Sequence, residues 1–416
     1  MALIVKKFGG SSVGSIERIQ HVASKVIAAK RDGHQVVVVV SAMQGETDRL
    51  IGLSQGLSSE PDAREYDILV STGEQASMAL LAIALNQQGC PARSYTGPQV
   101  GVITDGVHTQ ARILKVETDL LRRNLDQGFV VIVAGFQGIN AQGDITTLGR
   151  GGSDTTAVAI AAALKADECQ IYTDVEGVFT TDPRVIPEAQ LLPLISFEEM
   201  LEMASLGAKV LQMRSVELAC KNDMPIRVLS TFSDAPGTLV TFEDQIMQKR
   251  LVSGIAFTRE EAIISLTGIP NRAGIEGHIL GVVSAANIEI DMIAQNAISQ
   301  DHTDFTFTVH RKDEPRTMKL MQDLVTELGA ASVKSNPKVA KLSLVGIGMR
   351  SHTGVASKMF KALGAANINI QMITTSEIKI SVVIDEEVLE KGVRAVHEAF
   401  ELHKLVSERQ VDFMES

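Results

Sequence analysis

The chain has 416 residues, more than a single hydrophobic core sustains, so two or three domains are expected. A net charge of −11 excludes general binding to polyanions, and 4% aromatic residues with no Trp leave little for base stacking. With 45% hydrophobic and 21% charged residues the composition is globular. No apolar run reaches the ~18–20 residues that span a bilayer, so neither a nucleic-acid nor a membrane partner is expected. The opening MALIVKKFGG reads as a strand and not as a signal peptide. Cys90, Cys169 and Cys220 are dispersed and read as buried free thiols of a cytoplasmic protein.

In chain order, Leu3–Phe8 is a short apolar strand leading into Gly9-Gly10-Ser11-Ser12. A helix pattern follows from Ser15 to Arg31, with Gly33 as its expected cap. Val36–Val40 is an unbroken β-branched run, the signature of a strand covered on both faces. Similar strands are expected at Phe129–Phe136, Gln170–Val175 and Ile226–Ser230, with helices between them at Glu74–Gln88 and Thr155–Lys165. This alternation predicts an α/β fold: an open, mainly parallel sheet with helices on both faces. Gly-rich polar loops (GGSS, SAMQGET, GFQG, TDVEG) fall after the strands, at the edge where such sheets bind ligands.

Ser233–Glu243 reads as a domain boundary, which divides the chain into residues 1–243 and a C-terminal part. Residues 244–262 are expected to hold a linker and a spare strand, Gly254–Thr258. An internal repeat follows, over 263–340 and 341–416. Ile264–Ile269 matches Leu342–Ile347, and AANIEIDMI (Ala285–Ile293) matches AANINIQMI (Ala365–Ile373). Each repeat reads as a ferredoxin-like α+β unit. The spare strand is expected to complete the sheet of the second.

No P-loop, HExxH, GxSxG or protein-kinase signature is present. Three segments carry the candidate chemistry. Lys7-Phe8-Gly9-Gly10-Ser11-Ser12 places a cation and close-approaching backbone N–H groups at a strand end, a cradle for phosphate. Side chains alternate along a strand, so only one of Lys6 and Lys7 can serve it. Arg150-Gly151-Gly152-Ser153-Asp154 precedes an apolar helix. Ser153 or Asp154 reads as an ordinary N-cap, while Arg150 and the glycines fit a carboxylate. Tyr172–Gly177 with Thr180–Arg184 reads, by itself, as a strand and two turns. The histidines, among them His108, His397 and His403, show no catalytic or zinc spacing and read as surface or packing residues.

As an ordered set these segments resemble the amino acid kinase family, and within it the aspartate kinases. Lys7–Ser12 matches K-F-G-G-[ST]-S, and Val39–Met43 the V-V-S-A-M strand end. Ser71-Thr72-Gly73-Glu74 matches S-x-G-E, and Arg150–Asp154 the R-G-G-S-D segment. Y-T-D-V-x-G, T-D-P-R and G-A-K-V-L follow in order, and the repeats resemble tandem ACT modules.

The resemblance implies ATP- and Mg²⁺-dependent phosphorylation of the L-aspartate side-chain carboxylate, the first step toward lysine, threonine and methionine. It implies Lys7 and Asp154 as catalytic residues. It places ATP on Lys7, Phe8, Gly9, Gly10, Thr173, Asp174, Val175, Thr180, Asp182, Arg184, Lys209 and Val210, with no dedicated protein metal site. It places aspartate on Ser41, Thr47, Glu74, Arg150, Gly151, Gly152 and Ser153. It implies feedback by lysine, threonine or both at Asn271, Gly274, Ile275, Asp291, Gln295, Thr353, Val355, Asn369, Ile370 and Glu377, and a homo-oligomer joined through the repeats. A sister kinase acting on another substrate, or a non-catalytic amino-acid sensor, are the competing readings.

Overall fold

The structure, a computed structural model, describes residues 1–207, 210–243, 251–299, 301–352 and 354–405, without the side chains of residues 350 and 351. Lys209 and Thr353, both expected to contact ligands, lie outside the described residues, as does part of the expected linker. The chain divides into two compact units. The first holds residues 1–179, 191–205 and 210–243; the second holds 180–190 and the C-terminal part.

The first unit opens with β1 (Leu3–Phe8), α1 (Ile16–Arg31), β2 (Gln35–Val40), α2 (Glu46–Leu57) and α3 (Ala63–Gln87). Next come β3 (Ala92–Tyr95), β4 (Val102–Thr104), β5 (Ile113–Val116), α4 (Asp119–Asp126), β6 (Val130–Ala134), β7 (Gln137–Ile139) and β8 (Ile145–Thr147). It closes with α5 (Gly152–Leu164), β9 (Glu168–Thr173), β10 (Leu194–Ser196), α6 (Phe197–Ser205), α7 (Met213–Lys221), β11 (Ile226–Ser230) and β12 (Thr238–Thr241).

Among the described residues eight strands form one sheet in the order β10-β12-β11-β9-β1-β2-β6-β3, parallel except where β11 meets β12. Val36–Val40 is wholly buried, as a strand covered on both faces requires. α1 starts on Ser15, whose Oγ accepts from the Arg18 N–H, and packs Ile19, Val22, Ala23 and Val26 on the sheet. The register aligns Phe8 with Val40 and Tyr172, and Val40 with Ala134. The loops after β1, β2, β6 and β9 therefore leave from one edge. A smaller sheet, β5-β4-β7-β8, lies beside the long helix α3.

Two helices differ from expectation. α3 begins at Ala63, eleven residues before the expected Glu74, because the Asp62 carboxylate caps it through the Arg64 and Glu65 N–H groups. By length and composition α3 could cross a bilayer. It is instead a core helix, packed against α1, α2 and β8, with Asp67 and Glu74 in its buried stripe. α5 is capped by neither Ser153 nor Asp154. Gly151, left-handed at φ +73°, occupies the cap, and a Cβ there would lie 2.1 Å from Gln212 Cγ. Both side chains expected to cap are thereby left free in the first turn for other work.

The second unit contains β13 (Gly254–Pro270), α8 (Ile275–Ala285), β14 (Ile290–Ala297), β15 (His302–His310), α9 (Glu314–Leu328), β16 (Ser332–Val345), α10 (Val355–Ala365), β17 (Met372–Thr375), β18 (Lys379–Asp385) and α11 (Leu389–Ala399). Its strands form a sheet ordered β14-β15-β13-β16-β18-β17. Gly254–Thr258 pairs with Lys341–Val345, whereas Ile263–Thr267 pairs with Ser332–Asn336. Two long strands thus each serve both repeats. The repeats match in backbone detail: Gly274 and Gly354 precede α8 and α10 at φ 91°, and Asn287 and Asn367 follow them at φ 55° and 56°. Asn tolerates this left-handed conformation, which explains AAN at both places.

Residues 180–190, expected within the N-terminal domain, belong to the second unit. Ile186 is buried in the core formed by Leu342, Leu344, Val355 and Val393, and the Thr180 carbonyl accepts from the Ile255 N–H at 2.7 Å.

Candidate active site

A cleft of about 360 Å³ opens at the sheet edge of the first unit. Four loops line it. They contribute Gly10 after β1, Ser41 and Thr47 after β2, Phe136 after β6, and Arg150 to Asp154 entering α5, while Lys7 reaches in from β1 and Glu74 from α3. All the residues expected to hold substrate therefore meet in one place, together with both expected catalytic residues. The cleft also includes Ala42, Met43, Gln44, Gly45, Asp48 and Gly149, which were not singled out. The signal for Ala42 to Gly45 was the SAMQGET loop itself, legible as a polar loop but not residue by residue, whereas Asp48 and Gly149 lie outside it.

Lys7 Nζ lies 2.6 Å from Asp154 Oδ1, outside hydrogen-bonding alignment, with both side chains nearly buried. Lys6 points to the opposite face. It donates to Gln170 Oε1 at 2.7 Å and to Tyr172 Oη at 3.0 Å, and burial lowers its ammonium to about 8. The alternation of β1 thus selects Lys7 for the cleft. A Cβ on Gly10 would lie 3.0 Å from the Ala42 carbonyl, so glycine lets the two loops close on each other.

Glu74 is 3% exposed. Its Oε1 accepts from the Ala42 N–H at 3.1 Å, and its Oε2 has no partner. Burial pushes the carboxyl up to about 7, against the opposing pull of that N–H. Gly73 makes the approach feasible, since a Cβ there would come within 2.8 Å of Ala42 Cβ. Arg150 is exposed, and no described residue pairs with its guanidinium. The cleft therefore offers a buried cation held by a carboxylate, a second free cation, and an unpartnered carboxylate oxygen. This combination suits a zwitterion with an additional anionic group.

Other expected site residues lie elsewhere. The Phe8 side chain is fully buried and stacked on Tyr172 at 4.6 Å, so only its backbone faces the loops. Thr173 ends β9 and Asp174 and Val175 follow it; none of the three lines the cleft, and neither does the half-buried Val210. In the second unit, Thr180 is buried with its hydroxyl on the Gln190 N–H and His397 Nε2. His397 is thus a core residue, and Asp182 and Arg184 pair with each other at 2.7 Å. Cys90 and Cys169 are buried, whereas Cys220 is half-buried.

Of the expected effector residues, Ile275 and Val355 are buried in the two repeat cores, and the Ile275 N–H already donates to the Arg272 carbonyl at 3.3 Å. Asp291 pairs with Lys341, and Gln295 donates to Glu276 at 2.8 Å. Asn271, Gly274, Asn369 and Glu377 are exposed, and Ile370 is half-buried.

The amino acid kinase family model matches residues 2–230, and an ACT domain model matches 342–400. The aspartate kinase of Stutzerimonas stutzeri (strain A1501) is 58% identical over 403 residues, covering 97% of this chain and 98% of that one. Escherichia coli aspartokinase III, solved with aspartate and ADP in the R-state, superposes with a TM-score of 0.80 at 26% identity, over 96% of this chain and 100% of that one. The same enzyme solved with lysine and aspartate in the T-state gives 0.75 at 26% identity, over 95% and 99%. The chain belongs to the amino acid kinase family, in its aspartate kinase branch, with a C-terminal ACT region.

Proposed function

We propose that the chain transfers the γ-phosphoryl group of ATP to the side-chain carboxylate of L-aspartate, giving 4-phospho-L-aspartate and ADP. The observation that carries this reading is the convergence of the Lys7–Asp154 pair with Glu74 and Arg150 in one cleft. Arg150 takes the α-carboxylate through its planar fork, and Glu74 Oε2 takes the ammonium. Ser41, Thr47 and the α5 N-terminus (Gly151, Gly152, Ser153) line the remaining space.

The attacking carboxylate is already ionised at neutral pH, so no strong base is needed. The obstacle is an anion approaching a polyanion, and positioned charge removes it. Lys7 would lie where that charge develops, with the Asp154 carboxylate 2.6 Å away to orient its side chain. One carboxylate oxygen forms the new P–O bond as the bond to the ADP oxygen breaks, with no net proton change on the enzyme. Gly9, Gly10, Thr173, Asp174 and Val175 supply the nucleotide side of the same sheet edge. Among the described residues no three His, Cys, Asp or Glu side chains converge as a metal cage. Mg²⁺ would arrive with the nucleotide's phosphates, as is usual for an ion that takes few protein ligands. Asp48 and Asp154 are the cleft carboxylates available to it, and when bound it neutralises phosphate charge.

The repeats are read as an amino-acid sensor for lysine, threonine or both. Support comes from the matched Gly274 and Gly354 turns and from a relative solved with lysine. The edge strands β14 and β17 expose Ile293 and Ile373 at equivalent positions. A second copy would pair along such exposed edges, which would give the expected homo-oligomer. A cytoplasmic location follows from the same reading.

The test is ATP-dependent acyl phosphate formation from L-aspartate, trapped with hydroxylamine, with and without lysine and threonine. Turnover suppressed by either amino acid supports both halves of the proposal. Turnover on another carboxylate but not on aspartate would overturn the substrate assignment.

A further inference from the structure

The mechanism above makes no use of a buried carboxylate two helical turns before Glu74. We infer that Asp67 is a positioning residue for amino-acid recognition: it fastens the segment that carries Arg150 to the helix that carries Glu74, and so sets the distance between the α-carboxylate and ammonium subsites. This rests on the assignment of those subsites to Arg150 and Glu74.

Asp67 is 0% exposed, a location that a carboxylate tolerates only when its oxygens are satisfied. It lies seven residues before Glu74, on the same face of α3 and about 10 Å along the axis. Oδ1 accepts from Thr147 Oγ1 at 2.5 Å and from the Thr109 N–H at 3.1 Å. Oδ2 accepts from the same N–H at 3.0 Å and from His108 Nδ1 at 2.8 Å, the tautomer that a carboxylate partner selects.

These partners lead to Arg150. Thr147 ends β8, three residues before Arg150, and its carbonyl accepts from the Ala111 N–H at 2.9 Å. Thr109 has φ 67°, a left-handed conformation that is unfavourable for a β-branched residue. Both oxygens of Asp67 hold its N–H in that state. The Thr109 carbonyl faces Gly149, where a Cβ would lie 3.1 Å away. The turn at 108–111 and the segment 147–149 therefore form one hydrogen-bonded body, attached to α3 through Asp67. Farther along α3, the Ser71 carbonyl accepts from Gln137 Nε2 at 2.8 Å and Glu74 accepts from Ala42. Each helix position on this stripe thus fixes a different wall of the cleft, and Asp67 fixes the wall bearing Arg150. If Asp67 lets go, the Arg150 loop shifts relative to Glu74 while the Lys7–Asp154 pair, held by β1 and α5, stays in place.

The experiment compares full-length Asp67→Asn, Thr147→Val and Thr147→Ser, with Arg150→Lys as the reference for the subsite assignment. KM for L-aspartate, KM for ATP and kcat are measured for each. Loss of a buried charge-assisted hydrogen bond predicts a rise in the aspartate KM of about tenfold for D67N and about fivefold for T147V. The ATP KM is expected to stay within about twofold, kcat to change less than the aspartate KM, and T147S to recover most of the loss. Should D67N fail to fold, the Thr147 pair carries the test alone. An aspartate KM within about twofold of the parent in D67N and T147V, with R150K raising it, would overturn the inference and leave Asp67 a purely structural group. Parallel rises in both KM values would overturn it as well. If R150K leaves the aspartate KM unchanged, the subsite assignment has failed, and the positioning role fails with it.

Discussion

Glu74→Gln probes the proposed ammonium subsite through its pH dependence. Glu74 is 3% exposed and its carboxyl is pushed up by burial to about 7 from an ordinary 4.5. A carboxylate must be ionised to receive an ammonium group. At pH 6 only about one molecule in eleven presents that form, so the aspartate KM stands about tenfold above its plateau at pH 8.5. The sign follows from the raised value: below pH 7 aspartate binding expels a proton, and affinity rises with pH. The same shift opposes folding. Between pH 4.5 and 7 the native state holds a proton that the unfolded chain has released. Glu74 therefore costs nothing below the lower value and about 3 kcal/mol above the upper one. The Gln variant is expected to show a uniformly high aspartate KM with no pH dependence. Its Tm relative to the parent should be higher at pH 8 than at pH 5. Initial rates at saturating ATP between pH 6 and 8.5, with thermal melts at the two pH values, measure both effects. A Gln variant that keeps the tenfold change in KM would refute the assignment of Glu74.

Lys7→Ala is expected to lower kcat by about 10³-fold with an unchanged circular dichroism spectrum, because it removes charge only where the transition state needs it. Arg150→Ala should raise the aspartate KM by about 10²-fold while kcat stays near the parent value, the pattern of lost uniform binding. Lys341, with its side chain 4% exposed between Glu261 and Asp291, gives a prediction for the second unit. Lys341→Met strands the buried Glu261 carboxylate, while the more exposed Asp291 is left to solvent, and should destabilise that unit by about 3 kcal/mol, read as a lower Tm. Adding Glu261→Leu should restore part of the loss.

The main sheet was legible because Leu3–Phe8 and Val36–Val40 carry burial in their composition, and the loops after them share an edge by topology. Lys7 and Asp154 were legible as a pair only through the ordered motifs, since they stand 147 positions apart in the chain. The start of α3 was not legible. Its first five residues, Ala63 to Asp67, are polar apart from one alanine and one tyrosine, and the deciding signal is a single Asp62 cap. The N-cap of α5 was misread because Ser153 and Asp154 are good capping residues, but the left-handed Gly151 starts the helix earlier and releases them. Residues 180–190 look like turns, and nothing local marks Ile186 as part of another unit's core. The Asp67 network joins residues 41, 42 and 80 positions apart. No local pattern encodes such a contact.

The most direct test of the account is a crystal structure of the protein with L-aspartate and a non-hydrolysable ATP analogue. The account predicts density for the amino acid in the 360 Å³ cleft, its ammonium on Glu74, its α-carboxylate on Arg150, and its side-chain carboxylate toward Lys7 and the γ-phosphate. Aspartate bound in the reverse sense, or the nucleotide base filling the space between Glu74 and Arg150, would contradict it.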